Sequence, residues 1–233
     1  PIYDWEYLKE TGYQFWMERI GYNQNLFDIV RIDHFRAFDT YWKIPADCPT
    51  AIDGEWIEAP GYEVFEHLLK RYPDIEIVIE DLGDLRPEVG ILRDHFGFKG
   101  MKVYQFSLDP DEKNNDFPDR ENLILYTGTH DNQTIRGWYL SKDETTRRDV
   151  DELLKEKGCG EEKLAHRFIH GVFQSIAQLS VVTVQDILNL GDEARLNQPG
   201  TTGSPNWEWR IADLKELEEE IPVIRKLIEE TDR

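Results

Sequence analysis

The chain has 233 residues, enough for one sizeable core or two small ones. Its 27 Lys and Arg against 47 Asp and Glu leave a formal net charge of −20. A surface of that sign repels phosphate backbones and anionic lipid, which excludes nucleic acid and membrane surfaces as expected partners. A 39% hydrophobic content with seven Trp marks a folded protein rather than an acidic disordered chain. Cys48 and Cys159 are too few to staple a fold of this size and read as free thiols of a reducing compartment. No apolar run approaches the ~18 residues of a membrane span. Residues 1–5 (PIYDW) lack the basic and apolar regions of a leader, so the expected location is cytoplasmic. The missing initiator Met suggests a piece of something longer.

Five β-branched runs predict strands at residues 26–35, 75–82, 102–108, 122–129 and 180–187. The second and fifth are apolar almost throughout, as in strands buried on both faces of a parallel sheet. Helical spacing predicts a helix over 63–71, with Val64, Phe65, Leu68 and Leu69 on one stripe. Pro87 opens a second helix and Gly97 ends it. The longest predicted helix covers 163–179. A charged amphipathic helix over 211–232 is expected to break or kink at Pro222. Residues 109–121 form a polar loop and 189–205 an irregular Gly-containing one. Alternating strands and helices imply βαβ units around a parallel sheet.

Polar residues cluster where four of the five apolar runs stop. They are Arg31, Asp33 and His34; Glu80 and Asp81; His130, Asp131 and Asn132; and Gln185 and Asp186. In parallel sheets and barrels the strand C-termini share the face on which active sites are built. Each group also has a plain structural reading: an Arg31–Asp33 ion pair, acids at a helix N-terminus, a capped turn. Phosphate-loop, dinucleotide, zinc and nucleophile-elbow motifs are absent. What remains is a set of carboxylates with one Arg and two His. Two carboxylates across a bond are the equipment of glycoside chemistry. Arg31 favours an ionised Asp33, suited to attack. Apolar Ile77, Val78 and Ile79 before Glu80 favour its protonated form, suited to an acid. The same carboxylates and His could instead ligate a divalent metal for hydrolysis.

Three segments, Arg31-Ile-Asp33-His34-Phe-Arg-Ala-Phe38, Ile79-Glu80-Asp81-Leu82-Gly83 and Gly128-Thr129-His130-Asp131-Asn132, resemble the signatures of the amylomaltases. These are the 4-α-glucanotransferases of glycoside hydrolase family 77, in the α-amylase clan. Supporting stretches include Tyr41-Trp42-Lys43-Ile44-Pro45 and Asn206-Trp207-Glu208-Trp209-Arg210. Ala37 stands where the family commonly has Gly, and Gln133 where it has Asp.

The resemblance implies an α/β fold of the (β/α)8 TIM-barrel kind. Residues 1–233 would be the C-terminal part of one catalytic domain, supplying about strands 4 to 8 and the C-terminal helix. It implies Asp33 as nucleophile, Glu80 as acid/base and Asp131 as the third acid, holding sugar hydroxyls. Arg31 would orient the nucleophile, and His130, His34, Asn197 and Asp109 would contact glucan. The implied activity passes α-1,4-glucan segments between maltooligosaccharides by a retaining double displacement through a covalent glucosyl-enzyme, with no cofactor or metal. The alternative is an inactive or glucan-binding fragment. An arc of strands would leave two sheet edges open, so the expected partners beyond glucan are an N-terminal half or a second copy.

Overall fold

The computed structural model describes residues 2–110 and 120–233. The chain forms two compact units, Pro1–Met101 and Lys102–Arg233.

The first unit opens with α1 (Trp5–Glu10), capped by Asp4, whose carboxylate accepts the Tyr7 amide at 3.1 Å. Then follow α2 (Gln14–Gln24), β1 (Ile29–Ile32), a 3₁₀ turn at Phe35–Phe38, β2 (Thr40–Lys43), β3 (Glu55–Glu58) and α3 (Gly61–Arg71). β4 (Glu76–Ile79), α4 (Pro87–His95) and β5 (Gly100–Val103) complete the series, with the boundary between units inside β5. β1 and β4 pair in parallel, with Ile32 opposite Ile79. The Ile79 amide donates to the Lys99 carbonyl at 2.8 Å and the Lys99 amide to the Ile77 carbonyl, which carries the parallel pairing onward.

β2 and β3 form an antiparallel hairpin that the apolar runs did not reveal. Its strands have four residues each and are exposed on much of their surface, so no buried alternation marks them. Arg86 ties the hairpin down, donating to Asp39 at 2.5 and 2.8 Å and to Glu58 at 2.9 and 3.1 Å. α3 buries Val64, Phe65 and Leu68 against Phe35, Phe38 and Phe98. α4 has Pro87 at its first turn, and Gly97 takes a left-handed φ of 66° beyond its end, as the sequence implies.

The second unit runs α5 (Tyr104–Ser107), β6 (Leu123–Tyr126), α6 (Ile135–Ser141), α7 (Glu144–Glu156), α8 (Leu164–Phe173), β7 (Leu179–Val181), α9 (Val184–Ile187) and α10 (Leu214–Glu230). β6 and β7 pair in parallel. The expected strands are shorter than their apolar runs, and two of the runs change state partway. After Val103 the third run becomes α5, and after Val181 the fifth becomes α9, capped by Thr183. Helix 163–179 stops at Phe173. The longest described helix is α10, which continues through Pro222. Most of the predicted polar loop, residues 111–119, lies outside the described residues. Cys48 and Cys159 are both free, and burial pushes the Cys159 thiol up to about 11.

Asp186 belongs to the core. Its side chain accepts hydroxyl bonds from Thr127 (2.7 Å) and Thr183 (2.8 Å) and the Ile135 amide (2.9 Å). The residue is 1% exposed. One buried carboxyl thus joins the ends of β6 and β7 to the start of α6. Burial raises its pKa despite those three donors. The folded state therefore binds this proton more tightly than the unfolded chain. The group's contribution is full below the ordinary carboxylate value of ~4 and is lost as pH rises through the raised folded value. Asp186→Asn should flatten this slope, so wild-type stability should fall relative to the variant as pH rises above ~4. Urea unfolding of both proteins across that range checks it, and parallel profiles would count against the buried acid.

Candidate active site

The first unit brings Arg31, Asp33, His34 and Glu80 together at the ends of two paired strands. The β1–β4 register puts Asp33 and Glu80 one step beyond the matched pair Ile32 and Ile79. The Glu80 amide donates to the Ile32 carbonyl (2.9 Å), and the Phe35 amide donates to the Glu80 carbonyl (3.0 Å). The pairing therefore continues past both strand ends. His34 then turns with φ 48°, a left-handed conformation uncommon outside glycine and concentrated at functional sites. That turn aims the His34 amide at the Glu80 carboxylate, at 2.8 Å. The other Glu80 oxygen accepts the Leu82 amide at 3.0 Å. Glu80 is half-buried in this cradle of amides, which differs from the apolar surroundings suggested by its three predecessors.

Asp33 stands outward, its side chain 76% exposed, and accepts one bond from Arg31 Nη2 at 2.7 Å. An ion pair this exposed adds little stability. What it does is orient the carboxylate. Arg36, one turn on, donates to the Asp84 carbonyl at 2.6 Å and lies 4.2 Å over the Trp56 ring, linking the loop after β4 to the hairpin.

Asp81 differs from its neighbour. It is enclosed, accepts Arg93 Nη1 at 2.7 Å and the Met101 amide at 2.8 Å, and has a 2.8 Å approach to where a Cβ on Gly100 would sit. Only glycine fits beside it.

The second unit gathers His130, Asp131 and Asn197. Asn132 shapes the turn by accepting the Thr129 amide (2.8 Å) and hydroxyl (2.7 Å). Asn197 Nδ2 donates to Asp131 Oδ1 at 2.6 Å, and the Asn197 amide donates to the His130 carbonyl at 3.1 Å. Arg195 donates to the Asp131 carbonyl at 2.7 Å. His130 Nε2 lies 3.4 Å from the other Asp131 oxygen. A cavity of about 110 Å³ adjoins this turn, lined in part by His130, Asn132, Gln185 and Arg195. Asp109 lies elsewhere in the unit, 1% exposed and paired with Lys142. Trp207, which the sequence showed only as part of a stretch resembling the family, lies with its ring 5.3 Å from His130. Among the described residues no group of three His, Cys, Asp or Glu is arranged to hold a metal ion. Nor is any described helix long and apolar enough to cross a membrane.

With this geometry in hand, the comparisons place the chain. The profile of the 4-α-glucanotransferases, glycoside hydrolase family 77, matches residues 1–215, and the chain belongs to that family. The 4-α-glucanotransferase of Thermus thermophilus is 40% identical over 240 residues, covering all of this chain and 48% of that protein. The Synechocystis enzyme of the same name is 45% identical over 215 residues, covering 90% of this chain and 42% of that protein. The amylomaltase of Streptococcus agalactiae, solved in complex with acarbose, superposes with a TM-score of 0.93 at 31% identity. That match covers all of this chain and 47% of the other, and supports the fold of the family. Corynebacterium glutamicum amylomaltase, at 18% identity and a TM-score of 0.76, agrees in fold alone. The chain spans about half the length of the curated relatives it matches.

The adjacent acids make opposite predictions. Asp81→Asn should destabilise the first unit by about 1–3 kcal/mol, because the enclosed Arg93 Nη1 loses its charged acceptor and keeps only Asp94, paired at 2.8 Å, as counter-ion. Glu80→Gln should cost less, since the half-exposed glutamine oxygen still accepts one backbone N–H and only one of the two amides loses its acceptor. Denaturant titration of the pair checks this, and equal losses would erase the distinction.

Proposed function

We propose that this chain supplies the catalytic carboxylates of a 4-α-glucanotransferase acting on α-1,4-glucans. The observation that carries the reading is the adjacency of Asp33 and Glu80 on paired strand ends, one carboxylate exposed beside Arg31 and the other held by two amides. An Asp33 oxygen attacks the anomeric carbon of the donor, and the bond from that carbon to the leaving O4 breaks. Glu80 gives O4 its proton, and a glucosyl ester forms on Asp33. An acceptor 4-hydroxyl then attacks the same carbon. Its proton passes to Glu80, Asp33 leaves, and configuration is retained. Each Glu80 oxygen accepts one amide and keeps a second lone pair for the travelling proton.

Arg31 orients Asp33, and His34 contributes its amide to Glu80 and its imidazole to the acceptor side. In the second unit Asp131, set by Asn197 and Arg195, presents its carboxylate to sugar hydroxyls together with His130. Asp109 is the weakest member of the expected set, being enclosed against Lys142. The acarbose held by the Streptococcus agalactiae amylomaltase supports a glucan-like ligand for this family member too. The reaction proposed here calls on no metal or organic cofactor.

We infer further that residues 1–233 belong to one (β/α)8 catalytic domain and supply its later strands, about the fourth to the eighth. Among the described residues of the first unit β1 pairs with β4 alone, with exposed Leu26 and Phe27 just before it and exposed Ile29 at its start. In the second, exposed Ile176 and Leu179 lie at β7. Such edges invite a partner.

In the full-length protein, Asp33→Asn should lose nearly all disproportionation of maltotriose, measured by chromatography of the products. Retention of a tenth of the activity would remove Asp33 from the nucleophile's role. Glu80→Gln should cripple transfer from maltooligosaccharides while sparing the first step with α-glucosyl fluoride, whose leaving group needs no proton. Equal loss on both donors would mean that Glu80 only shapes the site. The isolated 233 residues should self-associate in sedimentation and lack transfer activity, and an added N-terminal half should restore some. A monodisperse, active 233-residue protein would overturn the shared-domain reading.

A further inference from the structure

We propose that Trp207 is a sugar-stacking residue, presenting its indole face to a glucose ring of the glucan beside His130 and Asp131. The inference rests on the glucan reading of the site and extends it to a residue that the catalytic chemistry does not use.

Three observations meet at this side chain. Its backbone takes φ 64°, a left-handed conformation that is a genuine outlier for a bulky residue and persists only where the surroundings enforce it. The surroundings are visible. The Trp207 amide donates to the Leu196 carbonyl at 2.7 Å, and Arg210 Nη1 donates to the Trp207 carbonyl at 3.2 Å. The neighbouring Asn206 accepts the Gln198 amide at 2.8 Å and donates to Thr201 at 2.9 Å.

Second, this strain does not bury the indole. Trp207 stays 55% exposed, so the unfavourable backbone secures no core packing. Third, the ring is aimed at the site. Its centroid lies 5.3 Å from that of His130, with the planes inclined by 33°, and the bond from its amide ends next to Asn197, which holds Asp131.

An exposed indole beside His130, whose neighbour Asp131 is held by Asn197, suits a pyranose ring. The C–H groups of the sugar lie on the indole while its hydroxyls reach the polar rim. The same indole packed only for stability would be buried and unstrained.

The test uses the full-length protein with maltotriose and maltoheptaose as probes. Affinity is read by titration calorimetry in the Asp33→Asn background, where bound glucan is not consumed, and folding by the melting temperature. Trp207→Gly relieves the left-handed backbone and removes the indole. It should hold or raise the melting temperature while weakening maltoheptaose binding by roughly three- to tenfold, the range expected for one aromatic contact. Trp207→Asn, which tolerates the same backbone region, should behave alike, and Trp207→Phe should recover most of the affinity. In the otherwise wild-type enzyme KM should rise more than kcat falls.

A purely structural Trp207 would give the opposite pattern, with the melting temperature falling and the affinity of the folded fraction unchanged. That result, or unchanged affinity in both Trp207→Gly and Trp207→Asn, overturns the proposal alone. If the unsubstituted protein neither binds nor disproportionates maltooligosaccharide, the glucan reading falls and the stacking residue with it.

Discussion

The parallel register of β1 on β4 governs where the first unit places Asp33 and Glu80. Because Ile32 faces Ile79, the next residues of both strands leave the sheet at the same level. The backbone bonds from Glu80 to Ile32 and from Phe35 to Glu80 then fix their separation. A slip of one residue would reverse the facing of every side chain on β1. It would also withdraw the His34 amide from Glu80. The left-handed turn at His34 is offset by the hydrogen bond its amide gives to the Glu80 side chain. Backbone geometry and the placement of these two carboxylates are here the same constraint.

Four acids near strand ends are treated in four ways. Asp33 meets solvent and one guanidinium, Glu80 meets backbone amides, Asp81 is locked to Arg93, and Asp186 is buried among hydroxyls and an amide. Solvation decides what each can do. An enclosed carboxylate whose oxygens are already engaged has no way to reach substrate. An outward one contributes little to stability and is free to react. The chemistry proposed for this chain falls on the two acids the fold needs least.

Much of this was legible in the sequence, and the exceptions have physical causes. Arg31, Asp33, His34 and Glu80 announced themselves because apolar runs stop abruptly in front of them. The same signal also marks Asp186, although a buried structural carboxyl follows that apolar run. Only the positions of Thr127, Thr183 and the Ile135 amide separate the two cases, and those lie up to 59 residues away. The predicted helix over 163–179 overran because the apolar spacing continues past Phe173, where the chain turns instead into β7. Pro222 suggested a break, yet α10 accommodates it, its amphipathic packing through Ile224, Leu227 and Ile228 outweighing one missing donor. The β2–β3 hairpin carries too little buried surface to leave a pattern. Trp207 stood in a recognisable stretch, but its placement was hidden, since no composition or spacing reports a backbone angle.

The Asp81 clamp has a consequence for synthesis on the ribosome. All of its members, Asp81, Arg93 and the Met101 amide, lie at or before the last residue of the first unit. Nothing in the second unit is required to close it. Once Met101 clears the exit tunnel, the nascent chain holds every group needed to neutralise its enclosed arginine and to seat Gly100. The β1–β4 pairing that carries Asp33 and Glu80 is likewise internal to the first unit. Domains emerging in order tend to fold as units. The enclosed arginine is thus neutralised by groups that lie entirely within the earlier part of the chain.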